Sequence, residues 1–244
     1  MERGNEGTKV MTRATALVLG VLSIFPSFPR SVLSAQVGHN PAHSPFHDIR
    51  PGSGPALSVG HLGGVGGRAG VGVLGGTTWG AHYDFTLGGP TLITLGASYA
   101  ETERFIVDPT KGSASRRSGP FDDDVVLFDL GLQIRLAGAK TWHGLAPYVG
   151  AALGLAFGSA LPSDTSGYDF GTKFTIAPGA GVRWHPGRRI SVQADARALF
   201  WKLRYPLSFK NPSPVDGTRV LPLDDTQSEW TRHPWVTLGA GWIF

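Results

Sequence analysis

The chain closes with Trp235-Val236-Thr237-Leu238-Gly239-Ala240-Gly241-Trp242-Ile243-Phe244. In an extended strand, successive side chains point to opposite faces. Val236, Leu238, Ala240, Trp242 and Phe244 therefore share one face, and Thr237, Gly239 and Gly241 share the other. One wall of this strand is apolar and the other is small or polar. A strand with lipid on one side and a crowded polar interior on the other requires that pattern.

The pattern recurs upstream. In 126–136, Val126, Phe128, Leu130, Leu132, Ile134 and Leu136 oppose Asp129, Gly131, Gln133 and Arg135. In 168–185, Phe170, Phe174, Ile176, Ala180, Val182 and Trp184 oppose Asp169, Lys173, Thr175, Gly179 and Arg183. In 188–198, Ile190, Val192, Ala194, Ala196 and Ala198 oppose Ser191, Gln193, Asp195 and Arg197. A soluble sheet also alternates, with its apolar face turned inward. Loop lengths and the two chain ends argue for the inverse arrangement.

Short turns are expected at Gly88-Gly89-Pro90, Gly138 to Gly144 and Pro186-Gly187-Arg188, and long loops at Asp108 to Pro120, Gly158 to Gly167 and Pro206 to His233. They separate strands near 69–87, 91–107, 122–138, 144–157, 168–185, 188–205 and 234–244. Parity requires one more strand before these, at Pro55 to Leu62, followed by a turn over Gly63 to Arg68. The expected fold is all-β: an eight-stranded antiparallel up-and-down transmembrane barrel, with short periplasmic turns and longer outer loops. Pro147 and Pro178 predict bulges or local edges, since proline lacks the ladder donor. At Leu199-Phe200-Trp201 the alternation slips, which predicts a bulge or emergence from the membrane. Trp142, Tyr148, Trp184, Trp242 and Phe244 fit one interfacial girdle, and Trp79, Tyr99, Trp201, Tyr205 and Trp230 the other.

Residues 1–35 read as a secretory signal. Lys9 and Arg13 precede an uncharged run from Ala14 to Phe25, and Leu33-Ser34-Ala35 offers a small residue before a cut. Met11 is an alternative start. That run is about a dozen residues, against ~20 for a spanning helix. Residues 36–54 read as a flexible periplasmic tail and 55–244 as the barrel. Net charge is +4, falling to +2 once the first 35 residues are removed, which gives no reason to propose nucleic acid. Cysteine is absent, so disulfides and thiolate metal sites are excluded.

The candidate lumen network comprises Asp129, Gln133, Arg135, Lys173, Arg183, Gln193, Asp195 and Arg197, with His82 and Asp84 beside it. Buried charges of both signs should pair, because an unpaired one is costly. The network reads as a structural plug or as the lining of a narrow polar pathway. His39, His43 and His47 have metal-ligand spacing on a helix, but Pro41 and Pro45 break one, so no metal or other cofactor is expected. Asp122-Asp123-Asp124 reads as a solvated loop end, or as a site for a divalent cation or for cations bridging lipopolysaccharide. His61, His233 and Ser228 supply the residue types of a nucleophile–base pair at the rim, without any recognisable signature. The chain does not read as an enzyme.

These features resemble the small outer-membrane barrels that include the OmpA transmembrane domain and the OmpW family. The resemblance spans roughly 55–244, and its most specific element is the terminal aromatic strand, with Trp242 and Phe244 as the insertion signal. It implies location in the bacterial outer membrane, delivery through the barrel-insertion machinery and contact with outer-membrane lipid. A peptidoglycan-binding domain is not expected after Phe244. Two functions stay open: a structural or surface-interaction role with an extracellular ligand at the loops, or a narrow channel or small-solute carrier. An OmpW-like carrier would pass small, partly apolar compounds.

Overall fold

Hydrogen-bonded pairing runs in a closed circle in the computed structural model, which describes residues 44–49, 52–159 and 161–244. In chain order the strands are β1 (Phe46–Asp48), β2 (Gly54–Leu62), β3 (Gly76–Gly88), β4 (Thr91–Glu101), β5 (Glu103–Val107), β6 (Arg117–Asp122), β7 (Val125–Arg135), β8 (Lys140–Trp142), β9 (Leu145–Gly158), β10 (Thr172–Trp184), β11 (Ile190–Arg204) and β12 (Ser228–Trp242). The circle is β2, β3, β4, β7, β9, β10, β11 and β12, each antiparallel to the next, with β12 returning to β2. This is the expected eight-stranded up-and-down barrel. Closure satisfies every strand edge, which a sheet in lipid requires.

Short turns and the C-terminus lie at one end, here the turn end; the opposite, loop end carries the long connections. At the tightest turn Gly88 and Gly89 have φ of 122° and 55°, values open to glycine and strained for other residues.

Several boundaries differ from expectation. Residues 63–75 are neither a tight turn nor the start of a strand: Val71 and Val73 are fully buried at the loop end. Their alternation imitates a strand because alternate residues are buried, but against loops. β4 ends at Glu101, and 103–107 leave the barrel to pair with 117–122. β10 starts at Thr172, so Phe170 belongs to the buried loop-end core instead of the outer wall. β12 begins at Ser228, within the stretch expected to be loop. Phe46 to Asp48, inside the expected tail, pair with Lys140 to Trp142. The signal at 1–35, His39 and His43 lie outside the described residues.

Pro147 and Pro178 cause no bulge: β9–β10 register is constant past both. Pairing of β10 with β11 lapses between Ile176 and Gly179 and resumes in the same register, so Pro178 sits at a local edge, the other outcome that a missing donor predicts. β11 likewise pairs with β12 without a shift past Leu199, Phe200 and Trp201. The chain keeps alternating there while the interior itself changes from polar to apolar.

Candidate functional site in the barrel interior

The interior has two layers. Toward the turn end, Arg183 Nη1 lies 2.9 Å from Asp84 Oδ2, and its other terminal nitrogen donates to Gln193 Oε1 at 3.0 Å and Gln133 Oε1 at 3.4 Å. Thr94 donates to Asp84 at 2.9 Å, and His82 Nε2 is 2.9 Å from Gln193 Nε2. In a second cluster, Arg197 lies 3.8 Å from both Asp129 and Asp195, and Tyr148 donates its hydroxyl to Asp195. Trp235 faces the Arg197 guanidinium at 5.4 Å and donates to Thr78 at 3.1 Å. Lumen cavities bordering these clusters measure about 20, 20 and 10 Å³, room for isolated waters.

Two candidates stand apart. Arg135 is buried without an ion-pair partner among the described residues, and Lys173 lies 5.4 Å from the Phe170 ring. Tyr148 was not among the candidates, because its position near a strand end suits a girdle. Its parity with Arg135 across β7–β9 was the available signal. Trp201 and Tyr205, also assigned to a girdle, are buried as well.

Toward the loop end the interior is apolar. Leu127, Leu199, Trp201 and Leu203 point in from the strands and meet Val71, Val73, Phe170, Phe209 and Leu221 from the loops, all at most 2% exposed. Ion pairs brace the loops over this layer. Arg68 reaches Asp225 at 3.1 Å and Glu229 at 3.0 Å, and Glu229 also accepts from Tyr205. Arg104 holds Asp123 at 3.0 Å and Asp164 at 2.7 Å. Asp216 accepts from Thr218 and from the Ser113 N–H, which hold its carboxyl below the usual range, and Arg116 lies 3.9 Å away.

The Asp122 to Asp124 run therefore does not act as one group. Asp123 is fully buried against Arg104, and burial pushes its carboxyl up to about 6 despite that cation. Asp124 accepts from Tyr99 at 2.6 Å. The rim residues do not assemble: His233 is buried between Gly63 O and Thr231, His61 is exposed, and Ser228 lies about 17 Å along the strand from His233. His47 lines an open cleft of about 690 Å³ at the turn end with His143 and His185. Burial, with Arg183 and Arg135 nearby, brings His185 down to about 4. Among the described residues, no three histidines or acids converge as a metal site.

The outer wall completes the picture. Leu57, Leu95, Leu130, Leu153, Phe174 and Leu238 are all more than half exposed, and soluble monomers rarely display so much contiguous apolar surface. An apolar wall around a charged interior defines a transmembrane β-barrel. No family model matches the sequence, and no curated protein does. Among solved structures, the chain is similar to the N-terminal β-barrel domain of Pseudomonas aeruginosa OprF, with 14% identity, 81% of this chain and 100% of that chain covered, and TM-score 0.42. It is also similar to Neisserial surface protein A, with 11% identity, coverage of 82% and 98%, and TM-score 0.49. A third is the attachment invasion locus protein Ail of Yersinia pestis, with 16% identity, coverage of 80% and 100%, and TM-score 0.36.

Proposed function

We propose that this chain is an integral barrel of the bacterial outer membrane, with a closed lumen and a structural or surface-interaction role at its outer loops. The carrying observation is the double closure of the interior: a set of charges centred toward the turn end, paired but for Arg135 and Lys173 among the described residues, and a fully buried apolar layer toward the loop end. In this reading the turn end faces the periplasm, residues 1–35 are removed on export, and the strand ending in Trp242 and Phe244 is presented to the insertion machinery. Phe244 is 77% exposed, as a docking residue must be. The ion pairs of Arg68, Arg104 and Arg116 give the loops a defined surface for an extracellular ligand.

Single-channel recording of the refolded protein in planar bilayers, with Arg135→Ala alongside, tests this. Electrical silence from both folded proteins is expected. Steady conductance that changes in Arg135→Ala would replace this reading with the narrow channel or small-solute carrier.

A further inference from the structure

We infer that Lys202, Arg204 and Arg232 form a binding site on the outer wall for the phosphate-bearing headgroup of an anionic lipid in the outer leaflet; this rests on the outer-membrane reading above.

Outward residues of β11 run Ile190, Val192, Ala194, Ala196, Ala198 and Phe200, then Lys202 and Arg204. At the rise and tilt of barrel strands, Ile190 to Phe200 covers about 25 Å, the height of a barrel's apolar band. The cations therefore begin where hydrocarbon ends. On β12 the outward series Val236, Pro234, Arg232, Trp230 makes the same change one rung earlier, because Arg232 pairs with Phe200 and Trp230 with Lys202. Diagonal cross-strand neighbours lie about 7–8 Å apart, so Arg232 and Lys202 can share one phosphate. Arg204 follows two residues further along the same face.

All three cations are exposed, and among the described residues none makes an ion pair or side-chain hydrogen bond. This contrasts with Arg68, Arg104 and Arg116, each of which is engaged by a carboxylate. Clustered like charges repel, and a multiply charged anion relieves that repulsion. Trp230 is exposed beside Lys202, as an interfacial aromatic is. The patch is local: at the same end of β4 the exposed residue is Glu101.

The test places the full protein in phosphatidylcholine vesicles doped with a diphosphorylated glucosamine lipid or the same lipid without phosphates. Retained lipid is then counted by native mass spectrometry after detergent extraction. The wild type should retain the phosphorylated lipid preferentially. Lys202→Gln/Arg204→Gln/Arg232→Gln should retain it about tenfold less or weaker still. Arg232→Gln alone should show an intermediate loss, and Glu101→Gln should match wild type. Equal retention of both lipids, or a triple variant matching wild type while still migrating as a folded barrel, would overturn the site. A triple variant that loses binding of inorganic phosphate yet retains the phosphorylated lipid as well as the wild type would assign the cations to a soluble anion and overturn the lipid. A wild type that fails to insert at all would defeat the outer-membrane reading itself, an outcome distinct from insertion without lipid preference.

Discussion

Tyr148 and Asp195 are joined across an intervening strand: the phenol donates to the carboxylate over Gly181, which pairs with both of them. A Cβ at residue 181 would lie 2.6 Å from Tyr148 Cζ, so the glycine is the space in which the ring lies. Tyr148→Phe should cost about 1–3 kcal/mol by leaving a buried carboxylate oxygen short of a donor. Gly181→Ala should cost more than Tyr148→Phe, because the ring must leave its row. Urea unfolding in lipid vesicles compares them, and equal stability of Gly181→Ala and wild type would refute the arrangement.

The Arg183–Asp84 pair, at 2.9 Å, is buried on both sides. Asp84→Asn alone should destabilise by about 3–5 kcal/mol, because it strands a cation. Asp84→Asn/Arg183→Gln should recover most of that loss. A double variant as unstable as the sum of the singles would show that the two residues act independently.

Leu238 is 60% exposed on the outer wall, while Leu223 is 63% exposed on a loop. Leu238→Arg should cost about 2–4 kcal/mol in a bilayer if lipid covers it. Leu223→Arg should stay within about 0.5 kcal/mol. Similar small effects at both positions would remove the lipid belt.

Trp201 has no exposed surface and packs against His233 with ring centroids 4.1 Å apart and the planes tilted by 34°. Trp201→Ala should cost about 3–5 kcal/mol and loosen the loop-end core. Trp230→Ala, in an exposed girdle residue, should cost much less. Hydrogen exchange should rise over 63–75 in the first variant and not in the second.

Asp123 carries a pH dependence whose sign follows from burial. Its folded pKa of about 6 exceeds the unfolded value of 3.8, so the stabilisation it contributes is complete below the unfolded value and lost as pH rises through about 6. Loops 102–124 and 161–171 should therefore resist protease better at pH 5 than at pH 7.5. Asp123→Asn should abolish the difference; its persistence would assign the effect elsewhere.

Much of the barrel was legible because a strand in lipid has one chemistry outside and another inside. Arg135, Gln133, Asp129, Arg183, Gln193, Asp195 and Arg197 each stood out by parity alone. Parity fails where both faces are covered. Leu199, Phe200 and Trp201 look like a slip only if the interior is assumed to be polar throughout. Val71 and Val73 look like strand residues because loops, too, bury alternate side chains. Asp123 looked solvated because its partner Arg104 lies in a hairpin that leaves the barrel.

The sequence by itself determined the strand faces, the ring of eight and the end at which both short turns and Phe244 lie, since period-two alternation and loop parity are local properties. Only the tertiary structure decided that Arg183 meets Asp84, that Tyr148 spans Gly181, and that residues 63–75 close the loop end. Those contacts join residues far apart in sequence, and ring closure, with its fixed register between distant strands, brings them together.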